Sequence, residues 1–436
     1  MELIDEILSA SNLTQASKDV IRNKGAGGVD CMQVKDLKEY LNKNRDSLTS
    51  QIRACEYLPQ PIRSKAIPKG NGKCRNLGIP TVVDRMLQQA VQRVIMPKYE
   101  YMFSRYSYGF RPLRNTHQAV GKSLEYVNSG YQHIVEVDLK GFFDEVDHVL
   151  LLQLLYRKIK CKATMTLLRR WLRAPIEIDG RLVKRRKGVP QGSPISPLLS
   201  NIILHELDDY MERKRMLFVR YADDFSIYCR TKSEAKIQGN EVYKFLRDKL
   251  RLPINHDKSG IRRPVSFQIL GYGFVPTYRK GEKGKYQLVV TKKRWKTLKQ
   301  KLKQITRKTT PMSFDERIEK LNQVVRGWVN YFKYASIKQK LIEIDGWLRN
   351  RLRYCIWHDW KKPERKRKNL IRLGIDHGQA YAWSRTRMGG WAVAQSPILG
   401  STITLERLKK RGYVSMHSLY QKISIIYYSN SLFPMV

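Results

Sequence analysis

Two adjacent carboxylates, Asp223 and Asp224, interrupt an apolar stretch over residues 218–229. Neighbouring acids pair poorly inside a sheet, so they belong at the tip of a hairpin with an apolar strand on either side. Such a hairpin needs a sheet to join, and residues 133–146 supply another arm. Ile134, Val135, Val137 and Leu139 read as a buried strand that delivers Asp138 at its end. Helix, strand and hairpin signals alternate around these segments: a helical stripe of Met86, Leu87, Ala90, Val91 and Val94, a hairpin about Asp179-Gly180, and a Pro/Gly-rich turn over 188–197 entering a helix with Ile202, Ile203, Leu207 and Met211. The pattern predicts an α+β fold with a small antiparallel sheet.

The chain has 436 residues, enough for roughly two to four domains. It carries 83 Lys+Arg against 39 Asp+Glu, a formal net charge of +44, with 42% hydrophobic residues. That is too apolar for a disordered basic tail, and the excess of cations points to a polyanionic partner, most simply nucleic acid. The acidic start Met1-Glu2-Leu3-Ile4-Asp5 is unlike a secretory leader, and no apolar run has the length of a membrane span. Six scattered cysteines without C-x-x-C spacing argue against a zinc ribbon or a disulfide scaffold and for a reducing, cytoplasmic setting.

Upstream of the sheet, residues 24–30 form a basic glycine loop that reads equally as a phosphate contact or a plain turn. Two short strands about Gly70-Asn71-Gly72 make a hairpin bearing Arg63, Lys65, Lys69, Lys73 and Arg75. A cationic ribbon of this kind is either a solvated edge or a clamp for a triphosphate. Composition shifts after residue 290, since residues 291–310 hold nine Lys/Arg and no acid. Three amphipathic stripes then follow: Trp295, Leu298, Leu302 and Ile305; Ile318, Leu321, Val325, Trp328 and Phe332; and Leu341, Ile344, Leu348, Leu352 and Cys355. They predict a three-helix core with outward cations, the second helix opening with a Ser313/Glu316 capping box. Residues 361–372 read as a basic linker, broken by Pro363, into a last small module.

Asp138, Asp223 and Asp224 carry the chemistry. A single such acid is usually a turn cap. Three of them at strand ends in a very basic chain point to Mg²⁺, which takes oxygen ligands from carboxylates and substrate phosphates. Two such ions activate a 3′-hydroxyl and stabilise a leaving pyrophosphate.

Tyr221-Ala222-Asp223-Asp224 resembles the active-site hairpin of reverse transcriptases, and Asp138 with Phe142-Phe143 resembles their other metal-binding motif. Ser107-Tyr108-Gly109-Phe110-Arg111-Pro112, Pro190-Gln191-Gly192-Ser193-Pro194 and Ile269-Leu270-Gly271-Tyr272-Gly273-Phe274 match the same family in the same order. Asn23-Lys24-Gly25-Ala26, Gly327-Trp328-Val329-Asn330-Tyr331-Phe332 and Arg385-Thr386-Arg387-Met388-Gly389-Gly390-Trp391 bring the resemblance closest to the group II intron-encoded reverse transcriptases, or maturases. Cys31 departs from an expected glycine, and the family's Cys/His-rich endonuclease module has no counterpart in this sequence, so second-strand cleavage is not expected of it.

The resemblance implies a right-hand polymerase. Residues 1–62 would be an N-terminal extension and the start of the fingers, 63–290 fingers and palm, 291–361 a helical thumb or maturase domain, and 362–436 a basic DNA-binding module. Asp138, Asp223 and Asp224 would hold two Mg²⁺ ions, and Lys69 and Arg75 the incoming triphosphate. Gln191 would sit near the templating pair, and Phe143 would exclude a 2′-hydroxyl. Lys258 is either a general acid toward pyrophosphate or a solvated loop lysine. Leu270, Gly271 and Tyr272 are either a primer grip or an ordinary core strand. The partners implied are intron RNA, an RNA template with a DNA primer, dNTPs and target DNA, with no membrane. Two rival readings are an RNA-binding splicing cofactor without polymerase activity and a reverse transcriptase of a non-intron element. The intact acid triad speaks against the first, and the Trp328 segment with the long basic C-terminal part against the second.

Overall fold

The computed structural model of the chain describes residues 2–69, 73–278 and 283–430, and their side chains other than those of 69, 73, 75 and 424–430. It divides into two compact units, 1–267 and 268–436. Among the described residues no helix is long and apolar enough to cross a membrane.

The first unit holds two four-stranded sheets. One runs in the order β2-β1-β4-β5, built from β1 (Ile62–Lys69), β2 (Lys73–Ile79), β4 (Ile176–Ile178) and β5 (Arg181–Val183). The β1–β2 ribbon forms as its sequence predicts, while its Gly70-Asn71-Gly72 turn and the side chains of Lys69 and Arg75 lie outside the described residues. The other sheet has the order β6-β7-β3-β8, from β3 (His133–Val137), β6 (Leu217–Tyr221), β7 (Asp224–Cys229) and β8 (Gly260–Arg262). Its strands form because β-branched and aromatic residues alternate across two buried faces. Val135, Val137, Phe218, Phe225 and Ile227 join the main core with the helices Val82–Glu100 and Ser196–Arg213.

Helix Val82–Glu100 starts where Thr81 accepts the Asp84 N–H. Asp84 is itself buried, and accepts hydrogen bonds from the Tyr57 hydroxyl (2.9 Å), the Trp171 indole (2.9 Å), the Thr81 hydroxyl (2.9 Å) and the Gln60 N–H (3.2 Å). This knot ties the helix to Lys162–Arg173 and to the segment before β1.

In the second unit, β9 (Gln268–Ile269), β10 (Tyr272–Pro276) and β11 (Tyr286–Val290) form a sheet of order β11-β10-β9. Helices Lys292–Ile305, Phe314–Tyr331 and Lys338–Asp359 follow, burying Leu298, Leu302, Ile318, Leu321, Val325, Leu341, Leu348 and Leu352. Ser313 accepts the Glu316 N–H at 3.1 Å, but Glu316 turns to Lys320 (2.7 Å), so half of the expected capping box forms. Not every cation faces out. Arg317 is buried and donates to the carbonyls of Ile305 (2.5 Å), Arg307 (3.1 Å) and Thr310 (3.3 Å), closing the C-terminal end of the preceding helix. The expected basic linker is a helix, Pro363–Arg372. Pro363 occupies its first turn, where the missing N–H costs nothing, and the chain break falls instead at Lys361 (φ 46°).

Candidate active site

The register of the second sheet assembles the acids. Val137 pairs with Phe225 across antiparallel β3 and β7, so the next step places Asp138 opposite Asp224. Tyr221 pairs with Asp224, leaving Ala222 and Asp223 as a two-residue turn at the hairpin tip. The expectation that both acids sit in the turn is refined: Asp223 is on the tip and Asp224 opens β7. Ala222 takes φ +59°, a left-handed conformation costly for a residue with a Cβ.

Asp138 is held on three sides by one loop. Its N–H donates to the Ser259 hydroxyl (3.0 Å), its carbonyl accepts the Asn255 N–H (2.8 Å), and its Oδ2 accepts Asn255 Nδ2 (2.9 Å) and Lys258 Nζ (3.3 Å). Lys258 thus stands as the counter-ion of Asp138. Asn255 and Ser259 were not singled out from the sequence, although they flank Lys258 in Asn255-His256-Asp257-Lys258-Ser259. Glu136, two residues before Asp138 on β3 and therefore on the same face, pairs with Arg262 at 3.3 Å. Asp224 keeps an exposed edge, but partial desolvation by its surroundings, and then the carboxylates of Asp223, Asp138 and Glu136, push it up to about 6. Burial also raises Glu136 against the pull of Arg262.

The donor set is all hard oxygen, and its members repel one another, so a divalent cation of the Mg²⁺ type both matches the ligands and offsets their crowding. Among the described residues no three His, Cys, Asp or Glu side chains converge closely enough to grip an ion. The acids share a face without forming a closed cage.

The other sequence-predicted residues of the first unit are linked by backbone. Gly141 (φ +59°) opens the short helix Phe142–Glu145, and Phe143 is buried with its ring edge-on to Phe142 at 5.2 Å. The Phe143 carbonyl accepts the Val189 N–H (2.6 Å), and the Gln191 carbonyl accepts the Gly78 N–H of β2 (2.7 Å). A Cβ on Gly192 (φ +112°) would lie 2.7 Å from the Gly78 carbonyl. The Pro190-Gln191-Gly192 turn therefore bridges the cationic ribbon to the segment following Asp138.

Leu270, Gly271 and Tyr272 belong to the second unit. Leu270 (φ 53°) and Gly271 (φ 89°) form the two-residue turn between β9 and β10. The Leu270 carbonyl accepts the Tyr331 hydroxyl at 2.9 Å and the Gly271 carbonyl the Thr291 N–H at 3.1 Å. Tyr272 is fully buried, packs on Tyr331 and Phe332, and donates its hydroxyl to the Tyr331 carbonyl.

Carboxylates presented by a hairpin tip and the neighbouring strand, on a sheet backed by helices, are the kind of oxygen donors that divalent-cation chemistry on phosphates uses. Residues 67–274 match the family described as reverse transcriptase (RNA-dependent DNA polymerase), and residues 295–374 match the maturase-specific domain of group II introns. The chain belongs to the group II intron reverse transcriptases that carry a maturase domain. It is 32% identical over 289 residues to protein YkfC of Escherichia coli, covering 57% of this chain and 76% of YkfC. It is 42% identical over 207 residues to the group II intron-encoded protein LtrA of Lactococcus lactis, covering 47% of this chain and 34% of LtrA. Among solved structures, a chain of a Cas6-RT-Cas1--Cas2 complex matches with a TM-score of 0.38 and 26% identity, over 58% of this chain and 43% of that one.

Proposed function

We propose that the first unit copies RNA into DNA at Asp138, Asp223 and Asp224, and that the whole chain serves the splicing and mobility of an intron RNA in the bacterial cytoplasm. The observation that carries the reading is the register that sets Asp138 opposite Asp224, beside Asp223 at the tip, in a chain with a maturase-specific domain. Two bound Mg²⁺ ions would activate the primer 3′-hydroxyl and stabilise charge on the leaving pyrophosphate. Asp138, Asp223 and Asp224 would hold them, with Asn255 orienting the Asp138 carboxylate. Lys258, 3.3 Å from Asp138, would give a proton or a positive charge to the departing pyrophosphate. The β1–β2 ribbon, with Lys69 and Arg75, would take the triphosphate. Phe143 would wall the sugar, and Gln191 would flank the templating pair.

In this division residues 63–290 serve as fingers and palm, residues 291–361 as thumb, and residues 362–436 as a basic module for intron RNA and target DNA. The Leu270-Gly271 turn would meet the primer by its backbone, with buried Tyr272 supporting it from beneath.

The test is primer extension on an RNA template by Asp223→Asn, which removes an anionic ligand and keeps the shape. Extension should fall by about 10²- to 10³-fold, with RNA affinity unchanged. Extension at the parental rate would refute the site.

A further inference from the structure

Behind the hairpin tip lies a buried ionic network that the polymerase reading does not by itself require. Arg220 on β6 and Asp208 on the helix Ser196–Arg213 are both fully buried. Arg220 donates from Nε and Nη2 to the two carboxylate oxygens of Asp208 (2.7 and 2.5 Å). Its Nη1 donates to Asn201 Oδ1 (3.0 Å) and to the carbonyl of Ala222 (2.9 Å), the residue before Asp223. Asn201 Nδ2 in turn donates to the Gly109 carbonyl at 2.9 Å. Gly109 lies directly against the turn, and a Cβ there would come within 2.2 Å of the Ala222 nitrogen and 2.9 Å of its Cα. The strand-like segment leading to Gly109 is fastened to β6 by the Tyr108 N–H donating to the Arg220 carbonyl and the Arg220 N–H donating to the Tyr106 carbonyl, both 2.9 Å.

A buried ion pair is a poor way to fill a core, since apolar residues of similar volume stabilise as well or better. What an apolar pair cannot supply is a donor to the Ala222 carbonyl. Ala222 sits in a left-handed conformation that persists only where its surroundings over-determine it. Arg220 grips that carbonyl on one side, and Gly109 closes on its nitrogen.

We infer that Arg220, oriented by Asp208 and Asn201, is a positioning residue that locks the Ala222-Asp223 turn, with Gly109 as its floor, so that Asp223 and Asp224 are presented together for metal and substrate. The inference rests on the reading of those acids given above.

The test uses the full chain and four variants: Asp223→Asn as benchmark, Arg220→Met/Asp208→Leu, Arg220→Lys and Gly109→Ala. Thermal midpoint, RNA affinity, kcat and KM for single-nucleotide incorporation, and calorimetric Mn²⁺ binding are measured on each. The double variant leaves no buried charge unpaired but strands the Ala222 carbonyl and Asn201 Oδ1, so it should fold with a moderately lowered midpoint. Its kcat should still fall about 100-fold, because the turn is released, with KM for dNTP little changed. Its Mn²⁺ affinity should weaken about tenfold, the size expected when support behind a ligand is removed. Arg220→Lys keeps the charge opposite Asp208 but loses the fork, and Gly109→Ala presses on the turn without touching the pair. Both should show the same split between kcat and KM, and they carry the test if the double variant does not fold. Parental kcat and Mn²⁺ affinity in any folded variant of Arg220 would overturn the inference and leave the pair a core filler. Parental activity in Asp223→Asn would instead overturn the site assignment, so the two failures are distinguishable.

Discussion

Phe143 offers the sharpest test at the scale of a single residue. Its ring is buried beside Phe142 and its carbonyl accepts the Val189 N–H, so the side chain is held in place on both counts. Phe143→Ala should raise ribonucleotide over deoxyribonucleotide incorporation by about tenfold or more, the scale on which a shaped pocket discriminates one small group. The truncation should also destabilise the first unit by about 3–5 kcal/mol, so the assay belongs well below the melting midpoint. An unchanged ratio would make Phe143 a core residue only. Asn255 gives a second test. Asn255→Ala removes a donor to Asp138 Oδ2 but leaves Lys258 in place, and incorporation should fall about 10- to 100-fold with folding intact. Parental rates would show that Lys258 alone suffices to orient Asp138. The two residues also mark what a sequence reveals at this scale. Adjacent acids at a hairpin tip conflict with strand propensity, and that conflict made Asp223 and Asp224 visible. Asn255 violates no local rule, and its role arises from a hydrogen bond across 117 positions. Asp208, Asn201 and Arg220 are hidden for the same reason, since a lone arginine in a strand reads as a solvated edge.

Elements were legible where apolar periodicity was strong and less so where distant polar groups decided their ends. The three stripes after residue 290 became three helices, yet the C-terminal end of the first is closed by Arg317 from the second, which no local pattern announces. Residues 361–372 look like a broken linker because proline weighs against a helix interior, whereas at a first turn it is compatible with one. Asp345 shows the same kind of long-range ending. Buried on Lys338–Asp359, it accepts from the Tyr413 hydroxyl (2.8 Å), the Ser415 hydroxyl (2.7 Å) and the N–H groups of Met416 (3.0 Å) and His417 (2.9 Å), and so seats the start of helix Met416–Asn430. Asp345→Ala strands these donors and should cost the second unit about 3 kcal/mol or more. Hydrogen exchange should quicken at residues 413–420 and stay unchanged within the first unit. Unaltered protection at 413–420 would show that apolar packing alone seats the helix.

At the scale of the whole molecule, a net charge of +44 makes binding to any nucleic acid strongly salt-dependent, and the remaining question is which cations do which work. Polymerisation depends on a few acids, whereas holding a folded intron depends on many cations spread over phosphates and 2′-hydroxyls. Six of the seven cations over residues 361–372 fall into two sets. Lys366 lies over the Trp357 ring at 4.4 Å, and Arg367 pairs with Glu364 of its own helix at 3.4 Å, so both already have partners within the chain. Lys361, Lys362, Arg365 and Lys368 are exposed and can be neutralised with less risk to packing. Changing these four to Gln should weaken intron RNA binding and flatten the log–log salt plot by up to roughly 3.6 units of slope, about 0.9 for each phosphate no longer neutralised. Extension on a short primer–template should be much less affected. Asp223→Asn should do the reverse, cutting extension while leaving RNA affinity, its salt slope and splicing of the cognate intron at parental values. A quadruple variant with an unchanged slope would mean that this helix faces solvent in the complex. Loss of splicing in Asp223→Asn would mean that the acids and the basic surface do not act separately.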